Sequence, residues 1–316
     1  MKGLILFFIL FSSASFSQDA SFINNQQSLI YSNPSFAGKN GLIRSQSAYS
    51  MQRSTGFRTA ISAVDGFIKP IKAGVAVTAL SDDMGNGTLK NSSISLSYAQ
   101  YIYLKNKIRL IPSFQVSMGV LTLDKTKLNF GDMINPRYGE RWDNTLILPA
   151  SQKNYTNMGA GLLYSRRGES LGIYFNNINR PDIGLAHSVK LPMRTSIYLS
   201  EDLMSDFDLR NISFLGNFQP GYYNMLLKWT LTLTRNILVG AGYAGVRNGT
   251  IYAHGVVANC GLHYKIFTLM YGFNKLYMVN SDWQPQRGSH ELSLSISIRK
   301  KGDSESRFLG HDLETW

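Results

Sequence analysis

One cysteine, sparse charge and no apolar run of membrane-helix length mark this chain of 316 residues. Cys260 stands alone, which excludes a disulfide framework and a cysteine-built metal site. Charged residues make up 16% of the sequence, against about 25% in an average chain. Beyond Phe11 no apolar stretch approaches the ~20 residues of a membrane helix. Five histidines (His187, His254, His263, His290 and His311) are dispersed, with no HExxH, no close pair and no accompanying GxSxG. No catalytic, metal or cofactor residue is therefore expected, and no enzymatic role. Acidic residues are the minority, 20 against 32 Lys and Arg, leaving a net charge of +12. In an exported chain that surplus points to anionic lipid or an acidic protein partner, not to nucleic acid.

Export is suggested by the first residues, MKGLILFFILFSSASFS. Lys2 precedes an apolar core from Leu4 to Phe11, and Ser15 and Ser17 supply the small residues of a cleavage site. Residues 1–17 are read as a signal peptide, with the mature chain starting near Gln18. No cysteine follows the cleavage region, which argues against a lipid anchor. The exported product is then either soluble or a membrane barrel.

From Gly41 onward the dominant period is two. In NSSISLSYAQY, Ile94, Leu96 and Tyr98 alternate with Ser93, Ser95 and Ser97. In NMLLKWTLTLT, Leu227, Trp229, Leu231 and Leu233 alternate with Lys228, Thr230 and Thr232. HELSLSISIRK repeats the pattern, with Leu292, Leu294, Ile296 and Ile298 on one side. Such alternation over about ten residues means strands with one oily and one polar face. About fourteen strands follow, starting near Leu42, Thr59, Ala73, Ser92, Lys107, Tyr155, Leu171, Arg194, Ile212, Met225, Ile237, Thr250, Ile266 and Glu291. Short linkers (IKPIK, LKNK, SRRGES, LTRN, HYK) alternate with longer ones such as 124–154, 177–193 and 277–290. That is the pattern of an outer-membrane barrel, with short periplasmic turns and longer extracellular loops. The stretch EDLMSDFDLRN breaks it by being longer than its neighbours.

A soluble β-sandwich is the rival fold, since it alternates as well. Strand length, the even count and aromatics near strand ends (Tyr101, Tyr103, Tyr164, Tyr271) favour the barrel. The expectation is thus an all-β, antiparallel, up-and-down outer-membrane barrel over residues 41–300. An N-terminal periplasmic segment over 18–40 precedes it, and a polar tail over 301–316 follows. Pro112 falls inside a strand, and a closed barrel has no edge to accommodate it, so a bulge is expected there.

Two motifs look chemical and are read as structural. GAGYAG, Gly240–Gly245, matches GxGxxG but lies in a period-two segment without the βαβ frame a nucleotide needs. DDMGNG, Asp82–Gly87, resembles the opening of a calcium loop, yet Met84 and Ser93 stand where ligands should be. Lys69, Lys72, Lys105, Lys107, Arg166, Arg167 and Lys265 gather at short turns, as solvated anchors or as a rim for an acidic partner.

The leader and the residues behind it carry a resemblance. Gln18-Asp19, then Asn33-Pro34-Ser35-Phe36-Ala37-Gly38 ahead of the first strand, resemble the opening of the PorP/SprF family, with Ser35 where Ala is usual. AGVAVTALSDDMG, ISLSYAQYIYL, LDKTKLNFGDMINP, GAGLLYSRRGESLGIYFNNINRPDIG and SHELSLSISI extend the similarity over most of residues 18–298. Physically, Asn33 before Pro34 is pushed toward extended backbone and can close an Asx turn, and Gly38 supplies a positive φ. Tyr31 and Phe36 flank the turn as anchors, so that it folds under or into the barrel, as a lead-in, a plug or a docking element.

The resemblance implies an outer-membrane protein of type IX secretion and gliding motility. In that role it would assist export or surface attachment of a secreted protein through its C-terminal signal domain. The alternatives are a core component docking periplasmic ring or lipoprotein subunits, or a transporter of hydrophobic compounds. A transporter should have an apolar lumen, whereas the inward residues assigned here are Ser, Thr, Gln, Lys and Arg.

Overall fold

The computed structural model describes residues 22–24, 28–39, 43–52, 56–128, 151–185, 187–204, 209–233, 236–249, 251–278 and 288–298. Its first strands are β1 (Ile43–Gln52), β2 (Phe57–Ile68), β3 (Ala73–Met84), β4 (Leu89–Gln100) and a two-residue β5 (Ile102–Tyr103). Then come β6 (Ile108–Leu123), β7 (Gln152–Arg166), β8 (Glu169–Asn176), β9 (Arg194–Met204) and β10 (Leu209–Gln219). The last are β11 (Tyr222–Leu233), β12 (Ile237–Asn248), β13 (Ile251–Tyr264), β14 (Phe267–Met278) and β15 (Ser289–Ile298). Strands adjacent in sequence pair antiparallel, except that β6 takes both β4 and β5. β15 returns to β1 from Ile43↔Ile298 to Gln52↔Ser289. The ring is therefore closed, and with β5 prolonging β4 it is a barrel of 14 strands. Every predicted strand start falls within three residues of an observed one.

The faces decide between barrel and sandwich. Ser95 and Ser97 are buried while Ile94 and Leu96 are more than 60% exposed. Lys228, Thr230 and Thr232 are buried beside exposed Leu227 and Trp229, and Glu291, Ser293 and Ser295 beside exposed Leu292 and Leu294. Oily residues outside and polar ones inside are the reverse of a water-soluble sandwich, and match a wall that meets hydrocarbon.

Pro112 is accommodated differently from expectation. Its partner strand stops: the ladder runs to Ala99↔Ser113, pauses, and resumes at Ile102↔Leu110 in unchanged register. Tyr101 N–H donates to Lys72 O at 2.9 Å, and Gln100 Nε2 to the Ile71 and Lys72 carbonyls. An interruption, not a bulge, spares the proline a bond that it cannot donate. Tyr101 also leaves the girdle assigned to it and points inward, 5% exposed. Tyr103 and Tyr271 face outward as expected.

Connections alternate by end. The connections 69–72, 104–107, 167–168, 205–208, 234–236 and 265–266 share one end and are all short; at the other end 53–56, 85–88, 220–221 and 249–250 are short as well, and only 124–151, 177–193 and 279–288 are long. By the rule for outer-membrane barrels the first end is periplasmic. The apparent exception disappears, because β9 and β10 run through EDLMSDFDLRN and leave only 205–208 between them. Lys72, Lys107, Arg167 and Lys265 adopt left-handed backbone in these turns. GAGYAG lies wholly within β12, where a Cβ on Gly240 would meet Asn259 Oδ1 at 2.4 Å. DDMGNG ends β3 and forms the turn into β4, with Asp82 accepting from Thr59 Oγ1 at 2.6 Å.

The external 177–193 connection is tied by one carboxylate. Asp182 accepts from Gly184 N–H (3.1 Å), Lys153 Nζ (3.0 Å) and Val189 N–H (2.8 Å). These bonds favour the charged form and hold its pKa down at about 2. A carboxyl depressed in the folded state stabilises above its unfolded pKa of about 3.9 and loses that contribution as pH falls through the folded value. The Val189 amide should thus keep its hydrogen-exchange protection at pH 5 and lose it between about pH 4 and pH 2. Asp182→Asn should remove most of that pH dependence; an unchanged profile would refute the tie.

Candidate functional site: a lumen filled by the N-terminal segment

Residues 22–24 and 28–39 lie inside the barrel. The inward-facing wall determines this placement. It carries charged groups that need partners, and the segment brings main-chain groups that need the same.

Asn33 has the extended backbone (φ −158°, ψ 119°) imposed by Pro34, and its Oδ1 accepts from Ser35 N–H at 2.9 Å. This is the Asx turn expected from the sequence. Asn33 Nδ2 is then free to reach the wall, donating to Ile173 O at 3.2 Å and to Leu162 O at 3.5 Å. Ser35 Oγ lies 2.7 Å from Ser113 Oγ. Phe36 is fully buried, edge-on to Tyr198 at 5.1 Å between centroids. Ala37 O accepts from Tyr101 OH at 2.9 Å. Pro34 opens the single 3₁₀ turn Pro34–Phe36. Gly38 has φ +70° and packs against Gly66, Phe67 and Gly74. A Cβ on Gly74 would sit 1.9 Å from Ala37 O, and one on Gly161 2.5 Å from Asn33 Oδ1, so the segment touches bare wall backbone at both places.

Charged residues hold the two ends. Near the periplasmic mouth Arg44 Nη2 and Asp65 Oδ2 form a buried ion pair at 2.9 Å, with a second bond from Arg44 Nε to Asp65 Oδ1 at 3.0 Å. Asp65 also accepts from Gly38 N–H (2.8 Å), and Arg44 donates to Phe36 O (3.1 Å). The pair thus satisfies the main chain on both sides of Ala37. At the other end Glu291 accepts from the consecutive N–H groups of Ile23 and Asn24, the latter at 2.8 Å. Lys228 Nζ donates to Ile23 O at 3.4 Å. Between them Arg194 lies 5.1 Å from the Tyr31 ring centroid and donates to its hydroxyl.

The segment spans much of the lumen's depth. Gly38 sits beside the β2–β3 turn, while Phe22 clusters with Ala48, Ile61 and Leu80, well along the strands toward the external end. All five motif residues, Asn33, Pro34, Phe36, Ala37 and Gly38, are brought together. The sequence reading did not find Arg44, Asp65, Tyr101, Arg194 or Glu291 as their partners. The signal was available in Glu291, an acidic residue at an inward position of a strand otherwise lined by Ser, and in Asp65, the one acidic residue among the inward Thr59, Ile61, Ala63 and Phe67 of β2. Among the described residues no group of three or more His, Cys, Asp or Glu could hold a metal ion.

Removing one partner of a buried pair costs about 3–5 kcal/mol because the other charge is stranded. Asp65→Ala should lower unfolding stability by about that much and speed trypsin cleavage at Lys39. Arg44→Met with Asp65→Leu should cost markedly less in denaturant midpoint. Equal losses in the single and double variants would show that the pair does not hold the segment.

Residues 14–296 match the family described as type IX secretion system membrane protein PorP/SprF. A search of curated proteins finds no match. Among solved structures, the outer-membrane protein Omp33 of Acinetobacter baumannii is similar at 8% identity and a TM-score of 0.44, over 83% of this chain and 100% of that one. A Pseudomonas aeruginosa FadL homologue is similar at 10% identity and a TM-score of 0.45, over 81% and 90%. CdiB from Escherichia coli is similar at 9% identity and 0.48, over 81% and 63%. The match over nearly the whole chain, with the closed barrel it accompanies, makes this protein a member of the PorP/SprF family of type IX secretion outer-membrane proteins.

Proposed function

We propose that the barrel serves type IX secretion as a dedicated outer-membrane holder for one secreted protein, assisting its export or its retention at the cell surface. The engaged part of that cargo is its C-terminal signal domain. The observation that carries this reading is the lumen occupied by the chain's own N-terminal segment. A general porin needs an open water path, and a transporter of hydrophobic compounds an apolar one. Here the chain's own residues 22–24 and 28–39 occupy the interior, bonded to polar and charged wall groups and packed against inward apolar side chains such as Ile61, Ile111, Leu163 and Leu215. Such a barrel presents its ends and its wall to partners. The same reading gives it no catalytic step and no cofactor.

A second reading is favoured by the periplasmic end, where Lys69, Lys72, Lys105, Lys107, Arg167 and Lys265 are exposed. That ring of cations suits an acidic periplasmic lipoprotein or ring subunit, and would make the barrel part of the core machinery.

Purification of the tagged chain from its own outer membrane in mild detergent, followed by mass spectrometry, separates the two. One large surface protein ending in a type IX signal domain is the expected companion. Recovery of periplasmic lipoproteins instead would replace the first reading with the second. Swelling of liposomes in sugar solutions, at rates typical of porins, would overturn both.

A further inference from the structure

The outward face of β12–β14 gathers cations at its external end. Arg247 stands beside Tyr252 in one cross-strand row, and Gly245 beside His254 and Tyr277 in the next. In the third row Tyr243 and Lys275 flank Val256. Toward the periplasmic turns the same faces are apolar or aromatic, down to Ile237 on β12 and Tyr264 on β13. Arg247 lies ten residues along its strand from Ile237, as His254 does from Tyr264. At about 3.3 Å per residue and a tilt of about 40° that is a rise of about 25 Å, the height of the apolar band of an outer-membrane barrel. The cations therefore stand at the external edge of the hydrocarbon.

Each of these groups is held in place, and none is neutralised. Arg247 lies 4.8 Å from the Tyr252 ring centroid, and its Nε donates to Gly249 O at 3.0 Å. Lys275 Nζ lies 5.3 Å from the Tyr277 ring centroid, and His254 stacks on Tyr243 at 6.1 Å. Gly245 leaves a bare place among them, where a Cβ would meet no atom within 4 Å. Among the described residues no carboxylate pairs with Arg247 or Lys275, and no outward residue of β10–β15 is acidic. The rest of the external rim differs. On β2–β4 Arg58 and Lys90 stand on either side of Asp83, and on β6 and β7 the outward pair is Thr122 and Gln152.

Uncompensated cations at headgroup depth attract the anions of the lipid. Two fixed charges suit a phosphomonoester, which carries about −1.5 to −2 at neutral pH, better than a singly charged diester. We propose that this sector binds the phosphomonoester headgroup of an outer-leaflet lipid. The phosphate sits over Gly245, within reach of Arg247, His254 and Lys275, and the acyl chains run down the apolar rows of β12 and β13. The site belongs to the outer wall and does not rest on the cargo-holding role.

Native mass spectrometry of the detergent-solubilised barrel titrated with lipid A tests it. Arg247→Gln with Lys275→Gln should weaken binding roughly thirtyfold, about fivefold for each cation. Gly245→Leu, which fills the bare place, should weaken it as well. Arg58→Gln with Lys90→Gln, on the same rim, should change it by less than about twofold. Lipid A stripped of its phosphates should bind far more weakly than the intact lipid. Heat-modifiable migration of each variant reports that the barrel is folded. Equal losses in the two double variants, or unchanged binding in both, would overturn the proposal. So would phosphatidylglycerol binding as tightly as lipid A, or displacement of lipid A by inorganic phosphate, which would mark a site for a free anion.

Discussion

At the depth of the hydrocarbon every main-chain N–H and C=O must find its partner within the protein. Closure of β15 onto β1 meets that requirement for the wall. It also fixes the polarity of everything else. With lipid outside, the polar residues of the alternating strands turn inward, and the lumen becomes a place of hydroxyls, amides and charges, interspersed with apolar clusters around Phe36, Ile23 and Phe22. The N-terminal segment then enters an interior where its own backbone can be satisfied. Asp65, Arg44 and Tyr101 meet the main chain from Phe36 to Gly38, and Glu291 and Lys228 do the same at Ile23 and Asn24. Most of these bonds read backbone. The aromatic contacts of Phe22, Tyr31 and Phe36 set the segment's register.

The wall was legible in the sequence because its two signals are local and repeated. Period two marks each strand, and the long connections, 124–151, 177–193 and 279–288, all fall at one end, although four short ones share that end. The Asx turn at Asn33 and the positive φ at Gly38 were legible for the same reason, since Pro34 and the missing Cβ act on their own neighbours. The location of the segment was legible only as a choice between under the barrel and into it. It depends on Asp65, Ser113 and Glu291, on three different strands, and on Tyr101 in the break between β4 and β5, which come together only when the ring closes. Tyr101 shows the limit well: at a strand end it looked like a girdle aromatic, yet the break opposite Pro112 turns it toward Ala37. Pro112 itself was noticed for the right reason, the missing N–H, and resolved by a different device. The segments 1–17 and 301–316, read as a leader and a polar tail, lie outside the described residues.

The stretches that carried the family resemblance include the wall positions the segment touches. AGVAVTALSDDMG contains Gly74, GAGLLYSRRGESLGIYFNNINRPDIG contains Gly161 and Ile173, and SHELSLSISI contains Glu291.

The direct test is whether residue 35 really faces residue 113. Their hydroxyl oxygens are 2.7 Å apart, a separation at which a cysteine pair can bridge. In a Cys260→Ser background, Ser35→Cys with Ser113→Cys should form an intramolecular disulfide in intact outer membranes, and neither single variant should. Two thiols that both remain reactive to alkylation in the folded barrel would contradict a lumen filled by the N-terminal segment.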